Sequence, residues 1–249
     1  MHRPEMIAQT SMSFWWPRVA DLPVPKPRTM LHPIAGGAAC DALEGTGALP
    51  EELQPDVLNA VVHQTGLTYP LFLRTDYTSG KHAWSETCFV AQDQDLLPHI
   101  GRLLEASLMI DVIPDAVVFR EYVPLAARFT AFVGALPIAP ERRYFVRDGV
   151  VICHHPYWPA EAIRKDTVGA PWDHLPADWE AQLAILNQEG LAEVATLTRY
   201  AQALSRVLPG VWSVDFAKTA AGGWMFIDAA RAEVSWHPED CPSLAGWRN

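Results

Sequence analysis

Long hydrophobic runs are missing from this 249-residue chain: no apolar stretch approaches the ~18–20 residues a helix needs to cross a bilayer. A transmembrane helix is therefore not expected. Cysteine is sparse and scattered. Cys40, Cys88, Cys153 and Cys241 include no CxxC pair, which argues against a disulfide scaffold or a zinc knuckle and reads as four reduced thiols. Basic charge is short as well. Lys plus Arg number 19 against 29 for Asp plus Glu, a formal net charge of −10. Nonspecific nucleic-acid binding and a polybasic membrane anchor both need the opposite balance. A local basic pocket for a small anion stays open. The N-terminal stretch carries Glu5 and no long apolar core, unlike a secretory leader, so the expected compartment is the cytoplasm. Walker loop, HExxH motif, nucleophile elbow and internal repeat are all absent.

What is present is a globular composition, 49% apolar and 19% charged, long enough for one large domain or two packed lobes. The 21 prolines and 10 tryptophans make long uninterrupted helices scarce. Residues 1–35, with Trp15-Trp16-Pro17 and then Pro23, Pro25, Pro27 and Pro33, read as an extended segment laid over the body, and 36–50 as loop. Helical spacing predicts helices over 51–65, 94–108, 177–186 and 190–207. Short apolar runs predict strands at 70–74, 87–91, 116–123, 128–133, 142–147 and 150–155, with an aromatic, proline-rich loop over 156–175. The order strand, strand, helix, strand is an α+β pattern.

The last predicted hairpin, 211–217 with 223–229, is the most informative element. With its turn centred between Ala221 and Gly222, Asp215 falls directly opposite Asp228. Opposed residues share a face with Cβ atoms ~5 Å apart. Two carboxylates that close repel unless a cation sits between them, and Mg2+ favours one or two carboxylates plus substrate phosphates. The alternative is that both point to solvent, or that a register slip places them on opposite faces.

Cations stand where charge is unusual. Arg74 ends an apolar strand, Lys81 follows Ser79-Gly80, Arg120 and Glu121 sit inside an apolar strand, and Arg142-Arg143 follow Glu141. A buried charge must be paired or hold a ligand. As a set in an acidic protein they fit a polyphosphate pocket. Each alone fits ordinary pairing, such as Glu141 with Arg143 along one strand face.

In this order the residues resemble the ATP-grasp superfamily. The likeness rests on Leu71-Phe72-Leu73-Arg74 with Ser79-Gly80-Lys81, on Val117 to Val123, on Glu141-Arg142-Arg143-Tyr144-Phe145-Val146, and on Val214-Asp215-Phe216 with Phe226-Ile227-Asp228. It covers about residues 69–230. It is nearest to a divergent clade of small bacterial and phage members, to which the eukaryotic cell-division-cycle protein that assists assembly of a translation initiation factor is related. The resemblance implies an α+β fold of two lobes with the nucleotide between them: 51–123 and 124–249, preceded by a reduced N-terminal region, 1–50. It implies Arg74 on the phosphates, Lys81 in a mobile loop over them, and Arg120, Glu121, Tyr122 and Val123 as the hinge against the adenine edge. Arg143 would face the phosphates, and Asp215 and Asp228 would hold Mg2+.

One departure matters. The family's final metal motif carries an Asn two residues after its acid, and this chain has Ala230 there. Glu233 or His237 could substitute. The neighbouring His154 and His155 point to opposite faces of a strand and so cannot readily share one metal. The activity implied is ATP-dependent ligation, in which a carboxylate becomes an acyl phosphate and is captured by an amine or similar nucleophile on a small molecule, peptide or protein. The alternative is an ATP·Mg-binding assembly factor without ligase turnover. Oligomeric state is left open.

Overall fold

A computed structural model describes residues 8–243. Two four-stranded antiparallel sheets form its frame. The first has the order β1 (Thr29–Pro33), β4 (Ala116–Glu121), β2 (Leu71–Thr75), β3 (Phe89–Val90). The second has the order β10 (Trp224–Arg231), β9 (Val211–Lys218), β7 (Glu141–Arg147), β8 (Val150–Pro156). A small pair, β5 (Phe129–Ala131) with β6 (Leu136–Ile138), lies between them in the chain.

Each sheet buries one face under helices. Leu71, Leu73, Val117 and Phe119 of the first pack beneath α3 (Pro55–Gln64) and α4 (Leu96–Leu108). Helix α4 presents Leu96, Ile100, Leu103 and Leu104, an i, i+4, i+7, i+8 stripe. In the second sheet Tyr144, Val146, Trp212, Val214 and Phe216 pack against α7 (Leu191–Ser205) through Leu197, Ala201 and Leu204. The strand period of two then sends Glu141, Arg143, Ser213, Asp215 and Ala217 to the other face. A third core joins β5 and β6 to α5 (Ala160–Thr167) and α6 (Trp179–Leu186) through Phe132, Ile138, Ile163 and Leu183.

Several stretches differ from the sequence reading, among them β6, which lies between two predicted strands. Residues Met12–Val19 form a helix, α1, although Pro17 lies inside it. Ser11 caps it by accepting from the Ser13 N–H at 3.0 Å, and Met12, Trp15 and Val19 bury one stripe in the second core. That burial outweighs the one backbone bond Pro17 cannot make. Residues Gly36–Leu43 form α2 instead of loop. A Cβ on Gly36 would lie 1.9 Å from the Pro114 carbonyl oxygen, so glycine there serves close chain approach, not flexibility. In the segment read as loop, α5 buries only Ile163 and Thr167, too few positions to show a stripe.

The N-terminal segment ties the two sheets together. Its helix lies in the second core, while Ser11 donates to buried Asp76 at 2.5 Å in the turn after β2. The Phe226 N–H then donates to the Pro25 carbonyl at 2.8 Å, and β1 continues into the first sheet.

Candidate nucleotide-binding site

A cavity of about 470 Å³ separates the polar face of the first sheet from that of the second. Arg74, Lys81, Arg120, Glu121, Tyr122, Val123, Asp215 and Asp228 all line it. Its apolar part is built from Phe72, Trp84, Leu125, Leu136, Met225 and Ile227.

The acidic side is a row straight across the second sheet. His155 pairs with Arg143, Arg143 with Asp215, and Asp215 with Asp228. The expected carboxylate pair is present, but by a different register. Near the turn Trp224 pairs with Lys218 and Phe226 with Phe216, one residue away from the expected alignment. A bulge at Ile227 restores it, so that Asp228 opposes Asp215. The side chains follow: Phe226 before the bulge and Ala229 after it both lie in the core, and Asp228 turns to the cavity.

Cations from the first sheet close on this bulge. Arg74 and Arg120 share one sheet face, since Arg120 pairs with Phe72 two residues before Arg74. Arg74 Nη1 donates to Asp228 Oδ1 at 2.8 Å and its Nε to the Thr75 carbonyl at 3.0 Å. Arg120 Nη1 donates to the Ile227 carbonyl at 2.6 Å and its Nε to Thr29 Oγ1 at 3.1 Å. Its Nη2 is buried without a hydrogen-bond partner, the kind of donor a ligand in the cavity could satisfy. Burial, and then neighbouring Arg74, push Arg120 down to about 9, against the opposing pull of Asp228, so it stays cationic at neutral pH. Arg120 was expected to contribute backbone at a hinge; in the structure it lines the cavity and its guanidinium bonds across to the second sheet.

Lys81 opens a short 3-10 turn, Lys81–Ala83. Its Nζ stands 3.7 Å from Glu141 Oε2, 4.1 Å from the Tyr157 ring centre and 4.5 Å from that of Trp158. Burial alone would lower its pKa, but Tyr157 and the Glu141 carboxylate outweigh burial and raise it above the usual lysine value. The turn is seated on the β5–β6 connection by backbone. Gly134 N–H donates to His82 O at 2.9 Å and Ser85 N–H to Gly134 O at 3.3 Å, and a Cβ on Gly134 would fall 1.9 Å from the Trp84 nitrogen.

Arg143 sits differently from the other cations. It is absent from the cavity lining and clasps Asp215 with both arms, Nε to Oδ1 at 2.8 Å and Nη2 to Oδ2 at 2.7 Å. Burial would lower its pKa, and Asp215 more than reverses this, so the guanidinium is held above its ordinary value. The pairing of Glu141 with Arg143 is accordingly not formed. Arg142 points the opposite way, to Glu193 Oε1 at 2.6 Å and the Gln188 carbonyl at 2.7 Å. Glu141 was not singled out as a site residue from the sequence. It lines the cavity, buried, with Oε2 lacking a hydrogen bond. Burial raises its pKa, with Lys81 opposing and Asp215 adding to the rise. Tyr157 was also missed: its N–H donates to the Glu141 carbonyl at 3.0 Å, which sets the ring beside Lys81. Glu141 and Tyr157 lie next to an Arg-Arg pair and a His-His pair, and no spacing in the sequence separates their roles from those of these neighbours.

Neither substitute for the missing Asn reaches the carboxylate pair. Glu233 pairs with Arg231 at 2.9 Å. His237 contacts Cys153 of β8, at the far edge of the sheet from Asp228. The donor set still suits a hard cation: the Asp215 and Asp228 carboxylates border one cavity with Glu141, whose Oε2 already faces Lys81 Nζ at 3.7 Å.

A family model for an ATP-grasp domain, the third family of its clade, matches residues 63–249, and the chain belongs to that family. Among solved structures, the fold is similar to that of Cdc123 from Schizosaccharomyces pombe, at 13% identity and a TM-score of 0.53, covering 93% of this chain and 86% of that one. A RimK domain ATP-grasp protein from Sphaerobacter thermophilus DSM 20745 aligns at 14% identity and a TM-score of 0.46, over 97% and 64% of the two chains. The ATP-grasp ligase PsnB, solved with a minimal precursor, aligns at 14% identity and 0.45, over 91% and 53%. No curated protein sequence matches the chain. The expected ATP-grasp fold of mixed α+β type is the one observed.

Proposed function

We propose that the protein is an ATP-dependent carboxylate–amine ligase of ATP-grasp type. The observation that carries this reading is the meeting of Arg74 and Arg120 from one sheet with the bulged Asp228 strand of the other, in a cavity also lined by apolar side chains. The apolar side chains and the Tyr122-Val123 connection take the adenine. Arg74, Lys81 and the open arm of Arg120 take phosphate charge, a preorganised arrangement that needs little movement as charge shifts to the leaving group. Asp215 and Asp228 hold Mg2+, which when bound neutralises phosphate oxygens and offsets the two carboxylates. Arg143 does not touch phosphate in this reading; it fixes Asp215 with two charge-assisted bonds so that one carboxylate face stays turned to the cavity. The acceptor carboxylate and its amine partner enter beside Lys81, Tyr157 and Glu141.

A second reading has one observation in its favour. Ala230 replaces the usual Asn, and Glu233 and His237 are engaged elsewhere, leaving a metal site with fewer ligands. Such a protein could bind ATP·Mg as an assembly factor without ligase turnover.

Thermal unfolding with ATP and Mg2+, beside Asp228→Ala, tests the shared premise. A ligand at ~100 times its Kd stabilises by ~2.7 kcal/mol. A Mg2+-dependent shift lost in the variant supports the site, and no shift with any nucleotide sinks both readings. Phosphate release that appears only with a carboxylate and an amine supplied selects the ligase; tight binding without turnover selects the factor.

A further inference from the structure

Away from the cavity, at the outer edge of the second sheet, Cys153, His237 and Cys241 converge. Cys153 lies on β8, and His237 and Cys241 lie in the segment that follows β10. We propose that these three residues bind a zinc ion, at a site independent of the carboxylate pair and of the nucleotide reading.

Distance is the first argument. Cys153 Sγ and His237 Nε2 are 3.2 Å apart, and one ligand atom from each of the three residues lies within 4.8 Å of the other two. A tetrahedral ion with bonds of ~2.3 Å to sulfur and ~2.0–2.1 Å to nitrogen holds such atoms ~3.6–3.8 Å from one another. The three donors therefore already stand about one ion's coordination sphere apart.

The histidine tautomer is the second argument. His237 Nδ1 lies 2.9 Å from the Pro238 carbonyl oxygen, which can only accept, so Nδ1 carries the hydrogen. The lone pair is then on Nε2, the atom that faces Cys153. A backbone carbonyl that fixes the far nitrogen in this way is the usual outer support of a metal-bound imidazole.

A further imidazole packs against the group without belonging to it. His155 lies two residues along β8 from Cys153 and on the same face. Its ring centre is 4.6 Å from that of His237, it is buried at 8% exposure, and its Nε2 has no hydrogen-bond partner among the described residues. Two thiolates with one imidazole select zinc over magnesium, whose preference is for oxygen. Binding exchanges the two thiol protons for the ion: one Zn2+ enters and two H+ leave. Its consequence is positional. The neighbouring Trp236 carbonyl accepts from Arg143 Nη1 at 3.3 Å, so the ion pins the segment that backs the Arg143–Asp215 clasp.

The test uses the full chain, reduced and stripped of metal, titrated anaerobically with Co2+. One equivalent is expected to produce thiolate-to-cobalt charge-transfer absorption and the visible bands of a tetrahedral ion. One equivalent of Zn2+ should abolish both, and excess Mg2+ should leave them. Cys241→Ser, outside the sheet and therefore tolerated by the fold, should weaken uptake by more than ~10-fold. Cys88→Ala should leave uptake unchanged, and His155→Gln should keep the charge-transfer band. Absence of the band in a chain with four titratable thiols would overturn the assignment. So would a band that persists undiminished in Cys241→Ser, or a Cys153–Cys241 disulfide whose reduction restores no metal uptake.

Discussion

Asp215 and Asp228 face each other across β9 and β10, and one bulged residue, Ile227, restores the register that puts them there. The bulge also frees the Ile227 carbonyl from the ladder, and Arg120 of the other sheet takes it up at 2.6 Å. One local irregularity thus aligns the carboxylates and supplies the acceptor that joins the two sheets.

Arg120→Lys tests that joint. Lysine keeps the charge but cannot reach Thr29 Oγ1 and the Ile227 carbonyl in the fork geometry of a guanidinium. Loss of a buried charged hydrogen bond costs about 1–3 kcal/mol. The stability read from the urea midpoint should fall by that amount at unchanged slope; a midpoint equal to wild type would show the contact contributes nothing.

Arg143 and Asp215 form the more deeply buried pair, with side chains 11% and 7% exposed. Arg143→Met leaves the Asp215 carboxylate with its charge uncompensated, at a cost of about 3–5 kcal/mol. Arg143→Met combined with Asp215→Leu should recover much of that loss, because no buried charge is then left alone. A double variant as unstable as the sum of the two single ones would rule out coupling.

Lys81 and Gly134 make a matched prediction. Lys81→Met combined with Glu141→Gln removes the charge without leaving a buried carboxylate alone, so thermal stability should change little while ATP affinity drops ~10–100-fold, about 1.4–2.7 kcal/mol. Gly134→Ala, with its Cβ driven into the Trp84 backbone, should instead reduce both stability and affinity. Calorimetry with ATP and Mg2+ separates the two patterns.

Asp76 predicts a pH dependence. Burial raises its pKa above the ordinary 3.8, against hydrogen bonds from Ser11 and the Ala116 N–H that lower it. The native state then holds this proton more tightly than the unfolded chain does. The contribution of the group to stability is therefore present at low pH and lost as pH rises from 3.8 through the raised value. Asp76→Asn, which keeps the shape, should remove that slope. Unfolding curves of the two proteins should diverge as pH rises through this window, with the variant relatively more stable at the upper end. Parallel curves would show that Asp76 titrates at its ordinary value.

Much of the site was legible as residue types in order: a cation ending an apolar strand at Arg74, Lys81 after Ser79-Gly80, and carboxylates on both arms of the last hairpin. These stand out because a charge inside an apolar run must be matched by something, and period-two alternation states which residues share a face. Glu141, Tyr157 and the α1 helix did not stand out, since nothing in their immediate neighbours separates them from ordinary strand, loop and proline-rich chain.

By itself, then, the sequence determined the α+β class, the antiparallel strands and the pool of charges, because those follow from local periodicity and the cost of burying charge. Only the tertiary structure decided how the charges divide. Arg143 and Arg74 stand close to different carboxylates, Arg120 reaches a bulge on another sheet, and His237 comes to rest beside Cys153. Those outcomes depend on bulge position and on how the two sheets meet, contacts between residues far apart in the chain that no local pattern encodes.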